Sequence, residues 1–193
     1  MRTLAALTLL LVLVPTLVGA EEASMADAVL FEFPEQGELW PSIDDPVMGG
    51  RSRSRMHAVD RIAVFEGVVS LENNGGFCSV RSQPERRDLS ASDGLRLLVN
   101  SDGRRYAFRL RTDDRWDGVS YEVKFEAPAG EWTWVELAFT DFVPVYRGRR
   151  VADWPPLDPQ QLFSFGLLIA DGQEGEFRLE IRSIEAFSRK TAP

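Results

Sequence analysis

The chain has 193 residues, with 30 Asp and Glu against 22 Lys and Arg and a formal net charge of −8. An acidic surface repels phosphate backbones and anionic lipid, so nucleic acid and membrane surfaces are disfavoured as partners. The single cysteine, Cys78, excludes an intramolecular disulfide and leaves stability to a packed core.

The first twenty residues differ from the rest. Arg2 is the only charge before Glu21, the run from Leu4 to Val18 is almost wholly apolar, and Val18-Gly19-Ala20 supplies small residues ahead of Glu21-Glu22. This pattern predicts a secretory signal peptide over 1–20, because the apolar run falls short of the ~18 residues a spanning helix needs. The expected mature chain, 21–193, is then periplasmic or secreted, is not inserted in a membrane, and is long enough for a single domain.

Past the leader the chain reads as short alternating apolar runs. Expected strands are 29–33, 62–72, 77–81, 95–100, 105–112, 119–127, 132–139, 163–170 and 177–187. In 105–112, Tyr106, Phe108 and Leu110 alternate with Arg105, Arg109 and Arg111, the period of a half-buried strand. Tyr121, Val123 and Phe125 repeat it against Glu122, Lys124 and Glu126. Turn residues separate the runs, at Asn73-Asn74-Gly75-Gly76, Asp93-Gly94, Asp102-Gly103, 113–118, Ala129-Gly130 and Asp171-Gly172. Only 158–162 suggests a helical turn. Many short strands with turns between them favour a β-sandwich.

Two segments carry candidate chemistry. In Asp44-Asp45-Pro46-Val47-Met48-Gly49-Gly50-Arg51-Ser52, Pro46 biases Asp45 toward extended backbone and the glycines permit positive φ or close approach. Asp44 and Asp45 then either hold a cation or a ligand hydroxyl with Arg51 alongside, or accept backbone N–H groups in a turn, which is the commoner use of such residues. Asn73-Asn74-Gly75-Gly76 reads as a hairpin connection or as amides that contact sugar or peptide. Beyond it, Arg81 is placed to pair with Glu72. Among the tryptophans, Trp132 and Trp134 share a strand face and are expected in the core, whereas Trp116 and Trp154 are expected at the surface. Arg147, in Arg147-Gly148-Arg149-Arg150, reads as solvated surface or as a patch for an acidic partner.

The pairing of Asp44–Ser52 with the Asn73-Asn74-Gly75-Gly76-Phe77-Cys78-Ser79-Val80-Arg81 run resembles the CIA30 family, named for a mitochondrial complex I intermediate-associated protein. The resemblance extends through Asp141-Phe142-Val143-Pro144-Val145-Tyr146-Arg147-Gly148-Arg149, Gly103-Arg104-Arg105-Tyr106 and the 171–181 ending. It implies an all-β, galactose-binding-domain-like jelly-roll sandwich with its core over about 29–187. It also implies a non-enzymatic module that binds a protein partner or assembly intermediate. Export would set this chain on the opposite side of a membrane from the matrix-side family member, so that member's task does not transfer with the fold.

The catalytic inventory is thin. His57 is the sole histidine, no Gly-x-Ser-x-Gly elbow occurs, and Cys78 alternates inside an apolar run as an inert thiol would. Zinc needs more His or Cys ligands than this chain offers. Calcium needs only oxygens and fits near Asp44, Asp45 or Asp171 as a structural ion; no other cofactor is implied. The expected binding residues are Asp44, Asp45, Met48, Gly49, Gly50, Arg51, Asn73, Asn74, Arg81, Trp116 and Arg147. A protein partner in the cell envelope leads, a carbohydrate-binding module is the alternative, and a carboxylate-dependent hydrolase comes third.

Overall fold

The computed structural model describes residues 28–189; the expected leader lies outside them. Alternating burial builds two antiparallel sheets. The first comprises β1 (Ala28–Phe31), β2 (Gln36–Glu38), β3 (Arg53–Val59), β4 (Ile62–Val69), β6 (Gly94–Ser101), β9 (Trp132–Ala138) and β13 (Gly175–Phe187), ordered β2-β3-β4-β13-β6-β9. β1 also pairs with β13, beyond the point where β4 ends. The second sheet runs β11 (Arg149–Arg150), β10 (Val143–Tyr146), β8 (Ser120–Glu126), β7 (Arg105–Arg111), β12 (Ser164–Ile169) and β5 (Cys78–Arg81).

The inward faces interdigitate as one layer of apolar side chains. Phe65, Leu97, Val99, Leu179 and Ile181 of the first sheet meet Tyr106, Phe108, Leu110, Phe165 and Leu167 of the second, each no more than 2% exposed. Phe31 closes one end, with its ring 5.2 Å from both Trp40 and Phe165. The chain is an all-β jelly-roll sandwich.

Four strands escape the periodicity. β3 is the instructive one: Arg53, Arg55 and His57 point out while Met56 and Ala58 point in, and Ser54 interrupts the apolar side. β2, β10 and β11 have two to four residues each, too few for a period. The helical turn expected at 158–162 is a 3-10 turn at Pro159–Gln161, capped by Asp158, whose Oδ1 accepts from the Gln160 N–H at 3.0 Å.

Two expectations are corrected here. Asn73-Asn74-Gly75-Gly76 is no hairpin connection, because β4 and β5 belong to different sheets and the segment crosses the sandwich edge. Trp132 and Trp134 do share a face, but it is the outer one; Leu137 is the buried neighbour, and Trp134 is 44% exposed. Arginines take the place of the core: Arg182 lies 4.3 Å from the Trp132 ring centroid and Arg96 4.6 Å from that of Trp134. Cation–π contact lets a half-exposed indole sit on a sheet surface.

Phe108→Ala should therefore cost about 3–5 kcal/mol, whereas Trp134→Ala should cost about 1 kcal/mol or less. Urea denaturation of both variants checks this ordering; equal losses would place Trp134 in the core after all.

Candidate functional site

The strand-connecting segment 41–52 is held to both sheets through two adjacent carboxylates. Asp44 is the extended residue, and Asp45, contrary to the bias expected from Pro46, opens a 3-10 turn at Asp45–Met48. Asp45 is 1% exposed. Its Oδ1 accepts the Ser52 N–H at 2.8 Å, and its Oδ2 accepts the Ser52 hydroxyl at 2.5 Å and the N–H groups of Gly76 and Phe77 at 2.6 and 3.2 Å. Asp44 accepts the Ser54 N–H and hydroxyl at 2.6 and 2.7 Å and the Ser79 N–H at 2.9 Å. Two segments some thirty residues apart in sequence thus converge on one pair of side chains.

The glycines follow from that convergence. A Cβ on Gly50 would run into the Asp45 carboxylate, and one on Gly75 would stand 2.6 Å from Asp45 Oδ2 and 2.9 Å from the Ser70 carbonyl. Gly49 ends the turn with φ 92°. Met48 contributes backbone to it.

Burial raises the pKa of a carboxyl, but for Asp45 the Ser52, Gly76 and Phe77 donors outweigh it and hold the group below its ordinary value. For Asp44 burial is the largest influence and the Asp45 charge adds to it, so the group is pushed up despite its donors. Cys78 is fully buried beside both; burial, then Asp44 and Asp45, push its thiol up to about 12. It is an inert core thiol.

The remaining motif residues brace the same loops at the surface. Arg51 pairs with Glu72 at 2.7 Å, both about 60% exposed, so Arg81 does not take Glu72 as expected. The Asn73 side-chain amide donates to the Gly49 carbonyl at 3.3 Å, and Asn73 and Asn74 both adopt left-handed backbone, at φ 56° and 58°. Asp171 lies elsewhere, in the turn after β12, paired with Lys124 at 2.6 Å. Among the described residues, no group of three or more His, Cys, Asp or Glu is arranged to hold a metal ion.

Arg81 turns instead to the outer face of the second sheet. Its Nη1 donates to the Trp116 carbonyl at 3.2 Å, and its guanidinium lies 5.0 Å from the Trp116 ring centroid. Two strands away, Arg109 and Arg111 share that face. Arg109 pairs with the nearly buried Glu122 at 2.6 Å, and Arg111 donates to the Gly118 carbonyl at 2.9 Å. Trp116, 69% exposed, rises beside a hollow of about 90 Å³ whose lining includes Arg81, Ser82, Gln83, Arg111, Asp113 and Asp114. Arg147 stands on the neighbouring β10–β11 turn, tied to Asp117 at 2.5 Å. Of the expected residues, Arg81, Trp116 and Arg147 thus cluster on this face, apart from the Asp44–Asp45 knot. Arg109 and Arg111, read only as a solvated strand face, belong with them.

A larger hollow, about 640 Å³, lies on the outer face of the first sheet. Its charges satisfy one another: Glu66 pairs with Arg55 at 2.7 Å and with Arg178, which also binds Glu180 at 2.8 Å. For Glu66, burial is outweighed by Arg55 and Arg178, so it is held below the usual carboxylate range. A glycosidase acid needs the opposite shift. His57 projects from the same outer face, its Nδ1 buried without a hydrogen-bond partner, while Cys78 lies in the core. The two make no thiol–imidazole pair.

The model of the family described as Complex I intermediate-associated protein 30 (CIA30) matches residues 29–181. The chain belongs to the CIA30 family. An uncharacterized protein of Schizosaccharomyces pombe is 30% identical to this CIA30 chain, with 83% of the chain and 84% of the relative covered. In three dimensions the CIA30 sandwich is similar to the family 11 carbohydrate-binding module of the cellulosomal cellulase Lic26A-Cel5E of Clostridium thermocellum. That match has a TM-score of 0.63 at 14% identity and covers 86% of this chain and 98% of that one. A second structure of the Clostridium thermocellum module, in complex with a β-1,3-1,4-mixed-linked tetrasaccharide, gives a TM-score of 0.58 at 14% identity over 84% and 96%. At such identities the likeness is one of galactose-binding-like fold.

Asp45→Asn should cost about 2–4 kcal/mol at neutral pH, because an amide offers a donor where only acceptors fit. The folded-state pKa of Asp45 is lowered, so its contribution is present above the unfolded value near ~4 and is lost as pH falls through the folded value. Asp44 has the opposite sign: its charge costs stability above the raised folded value, and Asp44→Asn should cost less. Denaturant titrations at pH 7 and near pH ~4 check both trends; a gap between wild type and Asp45→Asn that widens on acidification would contradict the assignment.

Proposed function

We propose that this CIA30 protein is a non-catalytic binding module of the cell envelope, exported by its N-terminal segment, that holds a saccharide on the outer face of its second sheet. The observation that carries this reading is the hollow beside Trp116, where an exposed indole stands next to guanidinium, hydroxyl and amide groups. Sugar rings present C–H faces to an aromatic platform and hydroxyls to polar side chains, and this set offers both. The shared fold with a module solved with a bound tetrasaccharide supports a saccharide as ligand. The knot at Asp44 and Asp45 serves it indirectly, by fixing the start of β5 from which Arg81 projects.

The family description supports a protein or assembly intermediate as a second kind of partner. The outer face of the first sheet fits that role better than the hollow does. Val29, Val59, Val68 and Trp134 are exposed there by 43 to 55%, the apolar composition that marks protein contact surfaces.

Titration with a panel of neutral and acidic oligosaccharides, read by tryptophan fluorescence, tests the first assignment. We expect a saturable response that weakens at least about ten-fold in Trp116→Ala. Photocrosslinkers placed at positions 116 and 134 in cells test the second. A reproducible protein adduct from position 134 alone, with a flat oligosaccharide panel, would move the functional face to the first sheet.

A further inference from the structure

The second sheet's hollow is lined by Arg81, Arg111 and Arg115 together with Asp113 and Asp114. Gly166 of β12 lies opposite Arg81 of β5 and Arg109 of β7, and Ser164 lies opposite Arg111, so three arginines flank one strand that carries no large side chain at those positions. A Cβ on Gly166 would stand 2.8 Å from the Val80 carbonyl, so the strand surface beside the hollow stays low. Glu122 neutralises Arg109. Arg81 and Arg111 form no close ion pair among the described residues; their hydrogen bonds go to the carbonyls of Trp116 and Gly118, while Asp117 acts on both and Asp113 on Arg111 from longer range. Of the nearby carboxylates, Asp117 is paired with Arg147 and Asp113 with Arg115 at 2.6 Å, and Asp114 lines the hollow beside them. Burial and then the charges of Arg81 and Arg109 pull Arg111 down to about 10 against Asp113 and Asp117; burial and then Arg109 lower Arg81 against Asp117. A protein with net charge −8 thus sets two half-buried guanidinium groups without a close ion-pair partner side by side, with Asp113 and Asp114 also in the lining.

Two guanidinium groups in such a setting are a receptor for a planar oxyanion. A carboxylate accepts paired N–H bonds from a guanidinium fork, and placed between Arg81 and Arg111 it offsets their mutual repulsion. The rest of the hollow describes what carries the carboxylate. Trp116 supplies a ring-sized apolar surface held in place by Arg81 itself, and Ser82, Gln83 and Ser164 line the hollow with hydroxyl and amide groups. About 90 Å³ of space suits part of one sugar ring and is too small for a helix.

We propose that this hollow binds the carboxylate of an acidic sugar, so that the ligand of the module is a uronic-acid-containing oligosaccharide. The sugar carboxylate bridges Arg81 and Arg111, and its ring lies against Trp116. Arg109, paired with Glu122, lies beside the hollow rather than in its lining and is not the anion contact. The assignment deepens the saccharide-binding function proposed above and depends on it.

The test is calorimetric titration of the full mature chain with hexamers of galacturonate, glucuronate and mannuronate, and with their carboxyl-reduced neutral counterparts. At least one uronate series should bind at least about ten-fold more tightly than its neutral counterpart. That preference should weaken as salt is raised and collapse in Arg81→Gln and Arg111→Gln. Arg111→Lys, which keeps the charge and loses the fork, should lie between wild type and Arg111→Gln. Arg55→Gln on the opposite face should bind like wild type. Thermal melts of each variant separate lost binding from lost folding, and the lysine variant keeps the comparison meaningful if a glutamine variant unfolds. Equal binding of neutral and acidic chains, indifferent to both arginine variants, would overturn the acidic-ligand assignment and leave the saccharide module standing. Failure of every saccharide would overturn both. Tight binding of a Glu-rich peptide that is lost in the same variants, with no uronate binding, would also overturn the proposal and assign the hollow to an acidic protein segment.

Discussion

The buried carboxylate of Asp45 is the constraint on which the rest of this edge of the sandwich depends. One side chain draws donors from Ser52, Gly76 and Phe77, so it ties the entry to β3 to the entry to β5, strands of opposite sheets. A buried anion is tolerable only when its lone pairs are filled by fixed donors, and here backbone N–H groups supply most of them. The requirement then propagates outward. Gly50 and Gly75 must lack side chains because the carboxylate occupies the space. Cys78 sits in a field that keeps its thiol protonated.

This arrangement occupies the carboxylates of the acidic loop with backbone and serine donors, whereas the sheet surfaces present exposed polar and aromatic groups. The two outer faces differ in a way that charge pairing makes plain. On the first sheet, Arg55, Glu66, Arg178 and Glu180 form a closed network, and arginines cover the tryptophans. On the second, Arg109 is satisfied while Arg81 and Arg111 lean on carbonyl oxygens. The first face holds its charges in close ion pairs; the second presents Arg81 and Arg111 in a hollow that Asp113 and Asp114 also line. The fold shared with carbohydrate-binding modules provides the scaffold for such a surface without dictating what binds there.

Much of the architecture was legible in the chain. Nine strands are marked by alternation and bounding turns, most clearly β7 and β8, because a half-buried strand writes its two environments into successive residues. β3 was hidden because Ser54 stands where an apolar residue would mark the inward side; its hydroxyl is occupied by Asp44. Trp132 and Trp134 misled for a related reason: an indole reads as core, yet a guanidinium on its face makes the surface tolerable. Candidate site residues divided the same way. Arg81 and Trp116 were visible singly, but their pairing with Arg111 needs three strands that are distant in sequence and adjacent in space.

By itself the sequence determined the all-β class, the family, and the prominence of the Asp44–Ser52 and Asn73–Arg81 segments, since strand periodicity and motif spacing are local properties of the chain. Only the tertiary structure decided what those segments do. Whether Asp45 faces solvent or four donors, and whether Arg81 meets Glu72 or Trp116, depends on which strands cross between sheets. That choice rests on long-range packing of the two inner faces, and no local pattern of residues encodes it.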